Sequence, residues 1–276
     1  MPEIAEVEAF KKYTSLHCMN KTIIDVAAED RRVIQKIGFP SFKKNPIGEK
    51  FTQVQRKGKY LIITVSSGQK LIMHFGLTGY LIFADSDTEI KFSCVEFMFK
   101  KDEALHWCNI RKFGKIWLVK SADEIRGIKE LGPDPLKLSV SAFLKLMHDS
   151  AKKNIKSFLM DQKIIAGIGN EYSDEILYHA GIDPRHTIKD LSSGSIKKIY
   201  NAMQKVLKFA IKLRTKRINL VSKERLFSET DNQQFPSSYL QAHRHTDGKC
   251  PKNPKHDLKK MTIGGRSAYY CPFDQK

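Results

Sequence analysis

Chemistry is most concentrated at the very start of this sequence, where Pro2 and Glu3 follow Met1 and Glu6 comes three residues later. An initiator Met is usually removed when the next residue is small, and Pro qualifies. The exposed group is then a secondary α-amine with a pKa of about 8, against roughly 10.4 for a Lys side chain. Part of it is neutral and nucleophilic near neutral pH. Such an amine can attack a sugar C1′ and form an iminium, and a neighbouring carboxylate, Glu3 or Glu6, can carry the proton as general acid or base. The plain alternative is structural, since Pro at the first helical position followed by Glu is a good helix start.

Four later stretches hold residues suited to anions or bases. Lys59 follows a Gly in RKGKYLIITV, residues 56–65, at the entry of an expected strand. There it can hold a phosphate and lower a nearby amine's pKa by charge repulsion, or simply be solvated. In MDQKIIAGIGNEYSDEILYHAGIDP, residues 160–184, two helical patterns flank an AGIG turn, and Asn170 is placed to cap the second. Free N–H groups at that helix start suit a phosphate, and the glycines allow close backbone approach; an ordinary capped helix is the alternative. NIRKFG, residues 109–114, sets Arg111 and Phe113 two apart in an expected turn. A cation beside an aromatic wedge suits insertion into a base stack, and a hairpin turn with one buried Phe is the alternative. In the tail, GGRSAYY reads as a β-hairpin with Arg266 at its tip, suited to a phosphate or minor-groove contact. Around it, Cys250 and Cys271 resemble the two halves of a CxxC…CxxC zinc site, but Asn253 and Asp274 occupy the second position of each pair. Two thiolates with Asn and Asp make a poor zinc site; His256 is a substitute third ligand, with Asp274 as the fourth.

The elements that must position these residues follow from periodicity. Ile4, Val7, Phe10 and Tyr13 mark an amphipathic helix over 3–17. From about 20 to 120 the runs TIIDVAA, YLIITVS, KLIMHF, GYLIFA, VEFMF and KIWLV predict an antiparallel sandwich or barrel. LGPDPL, 131–136, is a rigid turn-rich boundary. After it SVSAFLKLMHDSAKK, NIKSFLMDQ, NEYSDEILYHAG and SSGSIKKIYNAMQKVLKFAIKLR show helical spacing, 216–238 reads as a polar loop, and 240–276 has turn signals at DG, NP and GG. The expected domains are 1–130, a linker at 131–136, a helical domain over 137–238 and a hairpin finger over 239–276.

Composition sets the partner class. The 276 residues carry 48 Lys+Arg against 30 Asp+Glu, a net charge of +18. Residues 151–225 hold sixteen basic and seven acidic side chains, and the tail eight against three. A surplus spread over half a chain implies a polyanion, nucleic acid first and an anionic membrane surface second. No apolar run is long enough to span a bilayer, and MPEIAEVE is no signal peptide, so a soluble intracellular protein is expected. The five cysteines are scattered and odd in number, which argues against a disulfide framework.

These motifs occur together, in this order, in one family. The chain resembles the formamidopyrimidine-DNA glycosylase / endonuclease VIII family along essentially its whole length. PEIAEVE is similar to that family's N-terminal signature, and RKGKY, HFGLTG, RKFG, LGPDPL, DQKIIAGIGNEYSDEIL and GGRSAYYCP each resemble a family signature in its expected place. The resemblance implies a two-domain α+β protein: a β-sandwich with an N-terminal helix, then a helix–two-turn–helix domain and a β-hairpin finger, with DNA in the cleft between. It implies that Pro2 is a Schiff-base nucleophile, Glu3 the proton carrier and Lys59 part of the catalytic set. Glu6 would act near the sugar. Lys59, Asn170 and Arg266 would grip phosphates around a flipped nucleotide, with His74 and Lys112 as further backbone contacts. Leu77, Arg111 and Phe113 would fill the void left by the flipped base.

Three departures from the family pattern matter. Leu77 stands where Met is frequent, a mild change between apolar wedges. Lys112 stands where Arg is common, which keeps the charge and loses the planar fork. Half of the zinc ligands are missing, so a zincless finger held by Tyr269, Tyr270 and Phe273 is expected, with Cys250, His256, Cys271 and Asp274 as the set if zinc binds. The implied activity is excision of oxidised bases from double-stranded DNA, then nicking by β,δ-elimination at the abasic site, by a monomer that needs no cofactor. Two rivals compete with it: a damaged-DNA binding protein of the same fold without catalysis, and a basic structural protein such as a ribosomal or chromatin component. Neither oxidised purines nor oxidised pyrimidines are singled out by the 216–238 loop.

Overall fold

Three-to-four spacing of apolar residues puts one face of helix α1 (Ile4–His17) in the core, and Ile4, Val7, Phe10 and Tyr13 are all fully buried. The helix starts later than a first-position proline requires. Glu3 is the N-cap, and Glu3 and Glu6 form a capping box in which the Glu3 N–H donates to Glu6 Oε2 at 2.9 Å. Pro2 therefore lies ahead of the helix, and its presence is not explained as a helix-start residue.

The structure, a computed structural model, describes residues 1–218, 241–242 and 248–276, with 217 and 218 as backbone only. After α1 come β1 (Ile23–Ala28), β2 (Ile34–Gln35), α2 (Phe39–Lys44), β3 (Phe51–Lys57), β4 (Tyr60–Val65), β5 (Lys70–His74), β6 (Gly79–Asp85), β7 (Ser93–Phe99), β8 (Glu103–Asn109), β9 (Lys115–Val119) and α3 (Arg126–Lys129). The strands form a four-stranded sheet, β1-β7-β8-β6, and a five-stranded sheet, β2-β9-β5-β4-β3. All pairings are antiparallel except β2 with β9. Phe51 of one sheet meets Phe97 and Phe99 of the other at 6.1 and 5.6 Å between ring centroids, so the sheets face each other across an aromatic core. Helix α1 packs against β3, β4 and β6, with the Tyr13 hydroxyl accepting the Phe83 N–H at 2.8 Å.

Strands β3 and β8 are absent from the sequence reading, for opposite reasons. β3 shows only two buried residues in seven and a register shift, so its apolar pattern is too sparse. β8 is buried on both faces from Ala104 onward, so its polar His106 and Asn109 mask the alternation.

The second unit holds α4 (Val140–Asp149), α5 (Ile155–Met160), α6 (Asn170–Ala180) and α7 (Ser193–Ile218), followed by the paired strands β10 (Lys249–Cys250) with β11 (Asn253–Asp257) and β12 (Lys259–Ile263) with β13 (Arg266–Tyr270). The chain divides after Lys129; the end of α7 from Ile211 groups with the first unit, and the tail groups with the helices rather than standing as a third domain. LGPDPL is not a free linker. The Gly132 N–H bonds the Gln162 carbonyl at 2.9 Å, and a Cβ on Gly132 would stand 2.5 Å from Ile164 backbone. The loop expected from 216 begins later, since α7 runs to Ile218; the rest of that loop lies outside the described residues. The expected Asn-Pro turn lies inside β11, where a two-stranded ribbon leaves room for proline on an edge. Among the described residues no helix is long and apolar enough to cross a membrane.

Candidate functional site

The N-terminal pair is held by a relay of charges. Glu3 is 1% exposed and Glu6 2%. One Glu6 oxygen takes the Glu3 N–H; the other takes Arg214 Nε at 3.0 Å, from a guanidinium that is itself buried. Glu6 thus braces Glu3 and Pro2 from behind, with both carboxylate oxygens engaged inside the protein. Arg214 escaped the sequence reading. Its signal was there: it continues the buried row Met203, Leu207, Ala210 along α7, a lone cation on an apolar face.

A second relay ties α1 to Lys59. Arg56 Nε donates to Glu8 Oε2 at 2.7 Å, and Arg56 Nη1 donates to the Gly58 carbonyl at 3.3 Å. Burial pushes the Glu8 carboxyl up, but the hydrogen bonds from Lys11 and Arg56 outweigh it and hold the group below its usual value. Gly58 and Lys59 form the two-residue turn between β3 and β4, which needs the positive φ of +56° at Gly58. Lys59 is only 8% exposed, so it is not a solvated surface lysine. Opposite it, Tyr60 pairs with His74 across β4 and β5. Burial, with the charges of Lys59 and Lys115, pulls the His74 pKa down to about 4. His74 is neutral near pH 7, and since its Nδ1 accepts the Gly76 N–H at 3.3 Å, any proton it offers sits on Nε2.

The three void-filling candidates meet at one edge. The 76–78 turn and the 110–114 turn are in contact: a Cβ on Gly76 would stand 2.6 Å from Phe113 and Gly114 backbone, and the Arg111 N–H donates to Thr78 Oγ1 at 3.0 Å. Leu77 is half-buried, Phe113 is 57% exposed, and the Arg111 guanidinium lies 5.2 Å from the Phe113 ring centre. The Phe113 side chain is therefore not the buried Phe of an ordinary hairpin. Lys112 takes φ +54° and turns its ammonium to Asp30 at 3.1 Å. Hydrogen bonds from Arg32 outweigh burial and, with Lys112, hold the Asp30 carboxyl far below the usual range. A phosphate contact by Lys112 would have to compete with that partner.

In the second unit Asn170 is not a cap. Gly169, at φ −129° and ψ −154°, takes the N-cap, and Asn170 is the first helical residue. Its Oδ1 is buried and has no hydrogen-bond partner among the described residues. The turn before it is stapled by Gln162, whose Nε2 donates to the Ile168 carbonyl at 2.6 Å while its Oε1 takes the Gly167 N–H at 2.8 Å. Lys156, fully buried, pairs with Asp174 and donates to Ser173 Oγ at 3.2 Å and the Asn170 carbonyl at 3.4 Å. Gly264 and Gly265, both at positive φ, make the tight β12–β13 turn, and Arg266 follows it, exposed. A Cβ on Gly264 would stand 2.9 Å from Ser157 Oγ. The finger tip with Arg266 therefore sits beside the segment that secures Asn170.

The finger's base gathers three side chains, two cysteines and a histidine, around one Asp274 oxygen. Cys250 and Cys271 thiols each donate to Asp274 Oδ2 at 3.0 Å, His256 Nδ1 lies 3.3 Å from that oxygen, and Cys271 Sγ is 3.9 Å from His256 Nδ1. Cys250, Cys271 and Asp274 bring their ligand atoms, all of types that bind zinc, within 4.8 Å of one another; His256 adjoins this group through Asp274 and Cys271. The sequence predicts a zincless finger; the three grouped donors are nevertheless of types that suit zinc, and His256 is the neighbouring side chain that would complete the set. Cys250 and Cys271 also pack with Tyr178, Ala242 and Leu258. Of the three aromatics expected to hold the hairpin, Tyr270 is buried and Tyr269 half-buried; Phe273 is 61% exposed and stacks on His256 at 4.5 Å instead.

Two family models match: the formamidopyrimidine-DNA glycosylase N-terminal domain over residues 1–116, and the formamidopyrimidine-DNA glycosylase H2TH domain over 131–222. A formamidopyrimidine-DNA glycosylase of Pelotomaculum thermopropionicum is 34% identical, covering 100% of this chain and 99% of its own. One of Mycoplasma genitalium is 29% identical, covering 100% and 96%. Among solved structures, Lactococcus lactis Fpg in complex with DNA containing an oxidised pyrimidine has a TM-score of 0.85 at 28% identity, covering 100% of both chains. The same enzyme with abasic-site DNA has a TM-score of 0.84 at 28% identity, covering 99% of each.

Proposed function

Since this chain belongs to the formamidopyrimidine-DNA glycosylase family, we propose that it is a base-excision DNA glycosylase with abasic-site lyase activity, acting through the α-amine of Pro2. The observation that carries the reading is the pair of relays behind the N-terminus: Arg214 to Glu6 to the Glu3 N–H, and Glu8 to Arg56 to the turn bearing Lys59. A buried ionic link, Arg214 to Glu6, beside a half-buried one, Arg56 to Glu8, is a costly way to start a helix. They make sense as supports for a reacting terminus.

In the reaction, double-stranded DNA carrying an oxidised base presents the damaged nucleotide flipped out of the stack, which costs least where pairing is already weak. With Met1 removed, Pro2 nitrogen bonds to C1′ as the C1′–base bond breaks, and Glu3 moves the proton that accompanies the base. Opening of the sugar ring gives an iminium, which acidifies the C2′ proton. Loss of that proton expels the 3′ phosphate, a second elimination expels the 5′ phosphate, and water releases the amine. No cofactor enters, because the amine is itself the electron sink. Lys59, neutral His74, Asn170 and Arg266 hold phosphates of the strand; Leu77, Arg111 and Phe113 occupy the vacated stack.

Borohydride added to the protein with abasic-site duplex traps a covalent complex. Pro2→Gly, which keeps a terminal amine but makes it primary, lowers the yield, and a protein retaining Met1 gives none. Absence of any adduct with fully Met-processed protein would sink the nucleophile assignment.

In place of the zincless finger expected from the sequence, Cys250, Cys271 and Asp274, completed by His256, would hold a structural zinc ion in the finger. Its role is to fix the hairpin that carries Arg266, outside the covalent chemistry. Equilibration with zinc leaves one ion per chain after desalting, and cobalt in its place gives thiolate charge-transfer absorption that Cys271→Ser weakens. Desalted protein with no bound metal would refute the site whatever its activity.

A further inference from the structure

Helix α7 contains eight basic residues and no acidic one in twenty-six. At 100° per residue, Lys198, Lys205, Lys208, Lys212 and Lys216 lie about 160–240° around the helix from Arg214, on the opposite face, and span roughly 27 Å along the axis. All five are exposed. Several lysines elsewhere are paired, as in Lys21–Glu103, Lys43–Asp25, Lys153–Asp161 and Lys249–Asp257. Along this ridge no lysine pairs with any carboxylate of the described residues. The field reaches a neighbouring helix: burial lowers the His179 pKa, and the charges of Lys252 and Lys205 lower it further.

We infer that this ridge is a second DNA-binding surface, which holds the phosphate backbone of duplex outside the lesion site. The inference rests on the glycosylase reading for its partner. An uncompensated row of cations fits a repeating polyanion. A protein partner would want an apolar centre, and Phe209 is the only large apolar residue that α7 exposes among the described residues. Arg214, on the far side of the same helix, is committed to Glu6, so the ridge is separate from the chemistry.

The test is the salt dependence of binding to undamaged duplex, which needs no catalysis. Wild type and the triple variant Lys198→Gln/Lys205→Gln/Lys208→Gln are compared on a duplex of several helical turns and on one of a single turn. On the long duplex the slope of log K against log salt falls by about 2.7 for three lost phosphate contacts. On the short duplex affinity is unchanged, and borohydride trapping with a single-turn abasic duplex matches wild type. An unchanged slope on the long duplex overturns the inference, as does an equal loss on the short one, which would place these lysines at the lesion. A protein that binds long DNA through the ridge but traps no abasic site refutes the proposed activity and leaves the ridge standing.

Discussion

Glu3→Gln slows release of a damaged base by about 10²- to 10⁴-fold, the range over which a positioned acid or base acts. The change removes the ability to move a proton and little else. Gln still accepts a hydrogen bond at the N-cap, so the capping box with Glu6 survives. The side chain keeps its volume in a site only 1% exposed. Excision and strand scission should separate in this variant. A preformed abasic site has no base to expel, and its ring-opened aldehyde condenses with an amine unaided. The variant therefore retains most of its borohydride-trapped adduct with abasic duplex while excision from a lesion-containing duplex collapses. Equal loss of both would mean that Glu3 positions Pro2 rather than carrying the proton. Single-turnover rates on the two substrates, with a melting curve to show the fold intact, decide it.

Lys156→Met has the largest expected effect on stability. Lys156 and Asp174 are both fully buried, and the ammonium also holds Ser173 Oγ and the Asn170 carbonyl. Met fills similar volume and takes from the buried Asp174 the ammonium that it pairs with. Breaking such a pair costs about 3–5 kcal/mol, and at about 2–4 °C per kcal/mol for a chain of this size the melting midpoint falls by roughly 10 °C. The double variant Lys156→Met/Asp174→Leu regains most of that loss, because apolar replacement of both partners removes the buried carboxylate with its cation. Its DNA affinity stays low if the pair's purpose is to hold Asn170 in place, since the carbonyl contact is gone. A single variant melting with wild type would show that the buried pair does not hold this helix start.

Much of the molecule was legible in its residues. The helix over 4–17, six of the first sheets' strands and the four long helical stretches follow from apolar periodicity, which is a local property. The chemistry of Pro2, the Gly58–Lys59 turn and the Gly264–Gly265 hairpin are local too, because a secondary amine and a positive φ depend on the residue itself. Local patterning failed where burial was one-sided or total, as in β3 and β8. It also misread Asn170 as a cap, because a preceding glycine could take that place and free the side chain.

What the sequence determined by itself was therefore the kind of chemistry, the order of elements and the sign of the charge. The tertiary structure alone decided which charges meet. It brought Arg214, 208 residues away, onto Glu6, and set Arg56 between Glu8 and the Lys59 turn. The physical reason is that a buried ion must find its counter-ion wherever folding delivers one, since desolvation penalises it otherwise. No spacing along the chain records that choice.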